Sequence, residues 1–247
     1  KITNDRIHTP KGRSALLREW LRQESLGLRK RLAIPFIKYF RSPKASSYDH
    51  QVHEALAGCL GCKGCVSMCP VKVNIPHVKS LFLSRYYRYF KRRLRDWVLA
   101  YGEHLSIAQQ KFLGSKTKNL LFKLPLDKIG LQLTKTIADN TGINHRALRN
   151  KYHAQPNQVI LLPDIFTQLY EPDILRAVLD ILAFLDYSVY LLPLKPSGIS
   201  LYHSGLLGSF KRCALKNAKR LSPYLEQKAT ILGIEPSTTL CFQDEYQ

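Results

Sequence analysis

Acidic side chains are scarce in this sequence: 18 Asp and Glu stand against 38 Lys and Arg in 247 residues, a formal net charge of +20 at pH 7. Such an excess calls for something negative nearby, and nucleic acid, anionic lipid, an acidic partner domain or an anionic bound cluster would all answer it. No stretch reaches the roughly 18 unbroken apolar residues that a membrane-spanning helix needs, which excludes a spanning role. Internal repeats and low-complexity tracts are absent as well. The opening segment, KITNDRIHTPKGR, has no apolar core of the signal-peptide kind. It starts on Lys1 rather than Met, and the closing CFQDEYQ follows a strand-like stretch directly, so the expectation is a piece of a longer protein.

Cysteine is also sparse, with six residues, and four of them fall within eleven positions. That crowding is unlike the dispersed framework of a disulfide-stapled secreted domain, and it points to a reducing cytoplasm. Peripheral contact with an anionic inner-membrane surface stays open. What the chain does have is ordinary globular material: 45% hydrophobic and 10% aromatic residues, enough to fold into two modest domains.

Residues 14–22 carry Leu16, Leu17, Trp20 and Leu21 at helical spacing, opposite Arg13, Arg18 and Arg22. A Ser- and Pro-containing loop follows, and then a helix with Asp49 as its N-cap, Val52, Ala55 and Leu56 as its buried stripe and Gly58 at its end. After the cysteines, VKVNIP is expected to be extended, because the residue before a proline avoids helical angles. One long helix is then predicted from His77 to about His104, with an apolar stripe running from Val78 through Phe82, Tyr86 and Phe90 to Trp97, and a basic face of Arg85, Arg88, Arg92 and Arg95. Residues 105–150 show only broken helical fragments, and 151–158 read as a linker. From Val159 the pattern turns β-α-β: VILLP, a helix over Pro172 to Leu185, and SVYLLP, followed by a helical stretch Leu206–Leu221 and a third strand in TILGIEP. The fold class expected is α+β: an all-helical domain over 1–153, then part of an α/β domain over 154–247 with a short parallel sheet.

The chemistry lies in Cys59-Leu-Gly-Cys62-Lys-Gly-Cys65-Val-Ser-Met-Cys69-Pro70, spaced C-x2-C-x2-C-x3-C-P. Each iron of a [4Fe-4S] cube takes one thiolate, and three cysteines at two-residue gaps let one tight loop reach three corners. Gly61 and Gly64 suit that wrap by allowing positive φ and leaving room beside the cube, and Pro70 turns the chain out of it. Zinc is the competing metal, but it ordinarily takes two separated ligand pairs, and no second pair exists here. In two-cluster proteins of this spacing the fourth cysteine serves the other cluster, so Cys69 either closes this cube or belongs to a second one. Cys213 and Cys241 read as small buried hydrophobes, and His50 and His53 as structural residues. The basic face over 77–104 is either a solvated surface or a contact for anionic lipid or an acidic partner. Nucleic acid is disfavoured because no reading motif accompanies the charge. A zinc-stabilised nucleic-acid module is the remote rival.

The segments KITNDRIHTPKGRSALLREWLR, GCLGCKGCVSMCPVKVNIP and VILLPDIFTQLYEPDILRAVLDILAFLDYSVYLLPLKPSG together resemble the C-terminal part of bacterial FAD-linked 2-hydroxy-acid dehydrogenases, of the D-2-hydroxyglutarate or D-lactate type. The resemblance implies a ferredoxin-like region followed by the start of a cysteine-rich CCG domain, with Cys59, Cys62, Cys65 and Cys69 as cluster ligands. It implies electron relay from an upstream flavin domain, with FAD and the substrate site outside this chain, and a partner cysteine run before Lys1. The Cys-Cys-Gly element that names the last domain is missing here. An iron-sulfur subunit of a glycolate oxidase or glycerol-3-phosphate dehydrogenase would share the run.

Overall fold

In the computed structural model, residues 5–26, 48–70, 72–113 and 157–247 are described. They form two compact units: residues 1–96 with 201–207, and residues 97–200 with 208–247. The expected boundary at 153/154, most of the broken stretch 105–150 and most of the linker lie outside the described residues.

The first unit is helical. Helix α1 (Pro10–Leu26) and helix α2 (Tyr48–Ala57) pack with helix α4 (Ile75–Tyr89), and the short helix α3 (Gly64–Ser67) sits between α2 and α4 in sequence. Leu17, Trp20, Val52, Leu56, Phe82 and Tyr86 fill the core. The Trp20 ring meets Phe82 edge-on at 5.0 Å, and its indole N–H donates to Asp49 Oδ1 at 3.0 Å. Burying a Trp requires such a partner for its N–H, so Asp49 anchors α1 to α2. Leu21, expected in the apolar stripe of α1, is instead half exposed.

Two expectations for the next segment are corrected. VKVNIP is not the extended connection expected: Lys72 takes φ +50°, and α4 already starts at Ile75, with Asn74 as N-cap accepting from His77 N at 3.0 Å and Pro76 in the first turn, where its missing N–H costs nothing. The long helix 77–104 is three helices. The chain leaves α4 at Phe90, whose backbone is extended at φ −117° and ψ 147°, and resumes as α5 (Leu94–Ala100) and α6 (Gly102–Leu113). Arg92, placed by periodicity on the solvent face, is buried in that break, with its guanidinium 3.8 Å from the centre of the Tyr87 ring and Nη1 donating to Ser204 O at 2.8 Å.

The second unit holds the predicted sheet. Strands β1 (Gln158–Leu162), β2 (Ser188–Leu191) and β3 (Thr230–Gly233) are all parallel in the order β2-β1-β3, with Ile160 opposite both Tyr190 and Ile231. Alternation along β1 sends Ile160 and Leu162 to one face, against Leu221 of α9 (Leu207–Glu226), and Leu161 to the other, against Leu175 of α7 (Pro172–Phe184). A short helix α8 (Ile199–His203) precedes α9. The third strand ends at Gly233 and does not run through TILGIEP: Ile234 and Glu235 connect it to α10 (Pro236–Leu240), which leads into a π-helical turn over Cys241–Glu245. The α+β class expected from the pattern is the class observed.

Candidate functional site

The cysteine run leaves the end of α2, where Cys59 N still donates to Leu56 O at 3.0 Å. Gly61 then takes φ +77° and Lys63 φ +56°, so two left-handed residues within three positions coil the chain before α3. Gly61 plays the part its sequence position suggested. Gly64 does not: it is the first helical residue of α3, and the second left-handed position is Lys63. Lys72 N donates to Cys69 O at 2.9 Å, closing a tight turn around Pro70 that carries the chain away, as expected of that proline.

Cys59 and Cys65 are partly buried and pack against the helical core. Cys69 is partly buried and Cys62 exposed, so the loop presents one open edge and one rooted edge. Cys65 and Cys69 also line a cavity of about 510 Å³ whose far wall is the first turns of α1, including Lys11, Ser14 and Arg18. The backbone amides of Gly61 and Cys62 meet no acceptor among the described residues. Donors without an acceptor are available to a bound anion.

Positive charge gathers around the loop. Lys79, in α4, donates from Nζ to Cys59 O at 2.7 Å, and Arg13, in α1, donates from Nε to Ala55 O at 2.9 Å. Burial pushes the Lys79 ammonium below its ordinary value, Arg13 adds to the effect, and the opposing attraction comes from Cys59. Holding a cation in a partly buried place has a desolvation cost that an anion beside it would offset.

Among the described residues no three His, Cys, Asp or Glu side chains are grouped so as to hold a metal ion. A single ion draws its ligands to one point, as in the tetrahedral zinc sites that the sequence pattern already disfavoured. A cube takes one thiolate at each of its four irons, so its cysteines surround a body larger than a single ion. Four thiols on one loop, two left-handed turns, unpaired amides and a cationic surround suit an anionic iron-sulfide cluster in donor type and in charge.

Three of the side chains around the loop, Lys79, Arg13 and His203, are not marked by the sequence as part of a site. Arg13 reads there as a member of an ordinary basic helix face, and Lys79 carries no signal of its own. His203 lies far downstream with no motif around it. The residues set aside as structural behave so: His50 Nδ1 lies 3.4 Å from Tyr86 Oη, and His53 Nε2 lies 3.2 Å from Tyr87 Oη. Cys241 is fully buried, and Cys213 is half-buried with Sγ donating to Pro196 O at 3.2 Å.

No family profile matches the chain, and no solved structure matches it. Curated relatives do. A D-2-hydroxyglutarate dehydrogenase of Pseudomonas putida is 31% identical over all of this chain and 28% of its own length. One from Pantoea ananatis is 32% identical over all of this chain and 27% of its own length. The Escherichia coli K12 enzyme of the same name is 28% identical over the same full span and 28% of its length. The chain thus spans little more than a quarter of these relatives, and the resemblance read in its cysteine run and flanks is borne out: along its whole length it is similar to one segment of D-2-hydroxyglutarate dehydrogenases.

Proposed function

We propose that this chain is the electron-relay segment of an FAD-linked 2-hydroxy-acid dehydrogenase acting on D-2-hydroxyglutarate or D-lactate, and that Cys59, Cys62 and Cys65 hold a [4Fe-4S] cluster. Cys69 is its fourth ligand or, through the cavity it lines against α1, a ligand to a neighbouring cluster completed by another cysteine run. The observation that carries the reading is the thiol loop itself: four cysteines on one stretch coiled by left-handed Gly61 and Lys63, with Cys59 and Cys65 rooted on the helical core and Lys79 and Arg13 close behind. Similarity along the whole of this chain to one segment of dehydrogenases supports the oxidoreductase role, and the names of the relatives favour the hydroxyglutarate enzyme over the glycolate and glycerol-3-phosphate alternatives.

When bound, such a cluster accepts and returns one electron at a time. The rest is done by the protein. The thiolates fix the loop's spacing, and the amides of Gly61 and Cys62 offer hydrogen bonds to sulfur. The charges of Lys79 and Arg13 favour the more negative, reduced state, while the packing of Cys59 and Cys65 keeps water from the rooted edge. FAD, the hydroxy-acid site and the electron acceptor belong to other parts of the assembly under this reading. Arg88 and Arg95 are both exposed and available to an acidic partner or an anionic membrane.

Absorbance of the full-length protein, purified without oxygen, tests the proposal. A brown protein with a broad band near roughly 400 nm, as thiolate-bound iron gives, is expected, together with loss of that band in Cys59→Ser. A protein with no absorbance beyond that of its flavin, or a Cys59→Ser variant of unchanged spectrum, overturns it.

A further inference from the structure

The stretch Leu201–Leu207 belongs to the helical unit although it lies far from it in sequence. It is fastened at four places. Tyr202 Oη lies 2.8 Å from Nδ1 of His77, at the start of α4. Ser204 O accepts from Arg92 at 2.8 Å. Gly205, at φ +72°, comes so close to α4 that a β-carbon there would lie 2.6 Å from Leu83 Cβ and from Ser84 N. The fourth contact is on the cysteine loop: a β-carbon on Gly61 would lie 2.7 Å from His203 Cε1, 3.0 Å from Nε2 and 3.2 Å from Nδ1.

The Nδ1–Cε1–Nε2 edge of the imidazole therefore sits directly against Gly61. Glycine at that position is required twice, for its left-handed φ and for the absence of a side chain against the ring. His203 Nδ1 is buried and has no hydrogen-bond partner among the described residues. A buried ring nitrogen left unpaired costs stability, and this one sits at the edge of a loop of four thiols.

We propose that His203 is a positioning residue for the cluster, its ring pressing the Cys59–Cys65 coil into its wrapped form and its unpaired nitrogen supplying a hydrogen bond on the sulfur side of the loop. The inference rests on the cluster reading above. Groups behind metal ligands that fix their orientation commonly change metal retention by about 10- to 100-fold when removed, and that sets the scale of the test.

The experiment uses the full-length protein, purified without oxygen, with three readouts: iron and sulfide content, the rate at which a chelator strips the iron, and the midpoint potential. His203→Ala, which removes ring and nitrogen together, is expected to lose iron at least about tenfold faster than the unaltered protein. His203→Phe, which keeps a ring against Gly61 but has no nitrogen, is expected to restore slow iron loss while its potential falls below that of the unaltered protein, since the lost hydrogen bond favoured the reduced state. A ring that merely fills space would leave the potential of His203→Phe unchanged, and that result overturns the hydrogen-bonding role. Equal stripping rates in all three proteins overturn the positioning role and leave the cluster reading intact. Absence of iron and sulfide from the unaltered protein overturns both. Should His203→Ala fail to fold, the potential of His203→Phe decides alone.

Discussion

His53 shows how a single side chain ties stability to pH. Its ring stacks on Tyr86 with centroids 4.6 Å apart and lies within hydrogen-bond reach of Tyr87 Oη. Burial lowers its tendency to take a proton, more than Asp96 raises it, so its folded value lies below the ordinary value of 6.5. A histidine depressed in this way stabilises the fold above its unfolded value and loses that contribution as pH falls through the folded one. Denaturant unfolding followed from pH 7.5 down toward pH 5 should show stability declining below about 6.5, and the decline should be shallower in His53→Phe. An identical pH profile in the two proteins would contradict this account of the site. The same burial holds His203 down to about 4, which keeps its ring neutral at physiological pH and suited to packing on Gly61.

Helices and strands obey local rules wherever the chain's own residues set their ends. The final helical segment shows this: Glu235 caps α10, its carboxylate accepting from Ser237 N at 3.0 Å and from Thr238 N at 2.6 Å. Removing such a cap costs about 1 kcal/mol, so Glu235→Ala should lower the unfolding free energy by that amount in chemical denaturation, while Glu235→Asp should recover part of it. No change in Glu235→Ala would mean that α10 is held by packing instead. Glu235-Pro236 is a start signal that was legible, yet the apolar run before it drew the strand reading past its true end at Gly233. The three strands and α7 were legible because short β-branched and leucine runs alternate with a Pro-started amphipathic helix, a pattern with few alternatives. The break after Tyr89 was not, because no glycine or proline marks it. There Arg92 turns inward to the nearby Tyr87 ring and to Ser204 O, the second contact made across great sequence distance. The candidate site divides the same way. The spacing of four cysteines and the need for glycine at position 61 are local facts, whereas Lys79, Arg13 and His203 reach the loop only through tertiary packing.

At the scale of the molecule, a basic helical unit and a small parallel α/β unit share one chain, and no described helix is long and apolar enough to cross a membrane. Part of the excess positive charge, Lys79 and Arg13, is drawn in around the cysteine loop, where an anionic cluster would balance it. The account therefore stands or falls on what those thiols hold. Chemical analysis of the full-length protein, isolated without oxygen, should find iron and acid-labile sulfide in equal amounts, about four of each for every cluster, with a paramagnetic signal on reduction that disappears in Cys62→Ser and Cys65→Ser. Iron without sulfide, zinc in its place, or a reduced-state signal indifferent to both substitutions would contradict it.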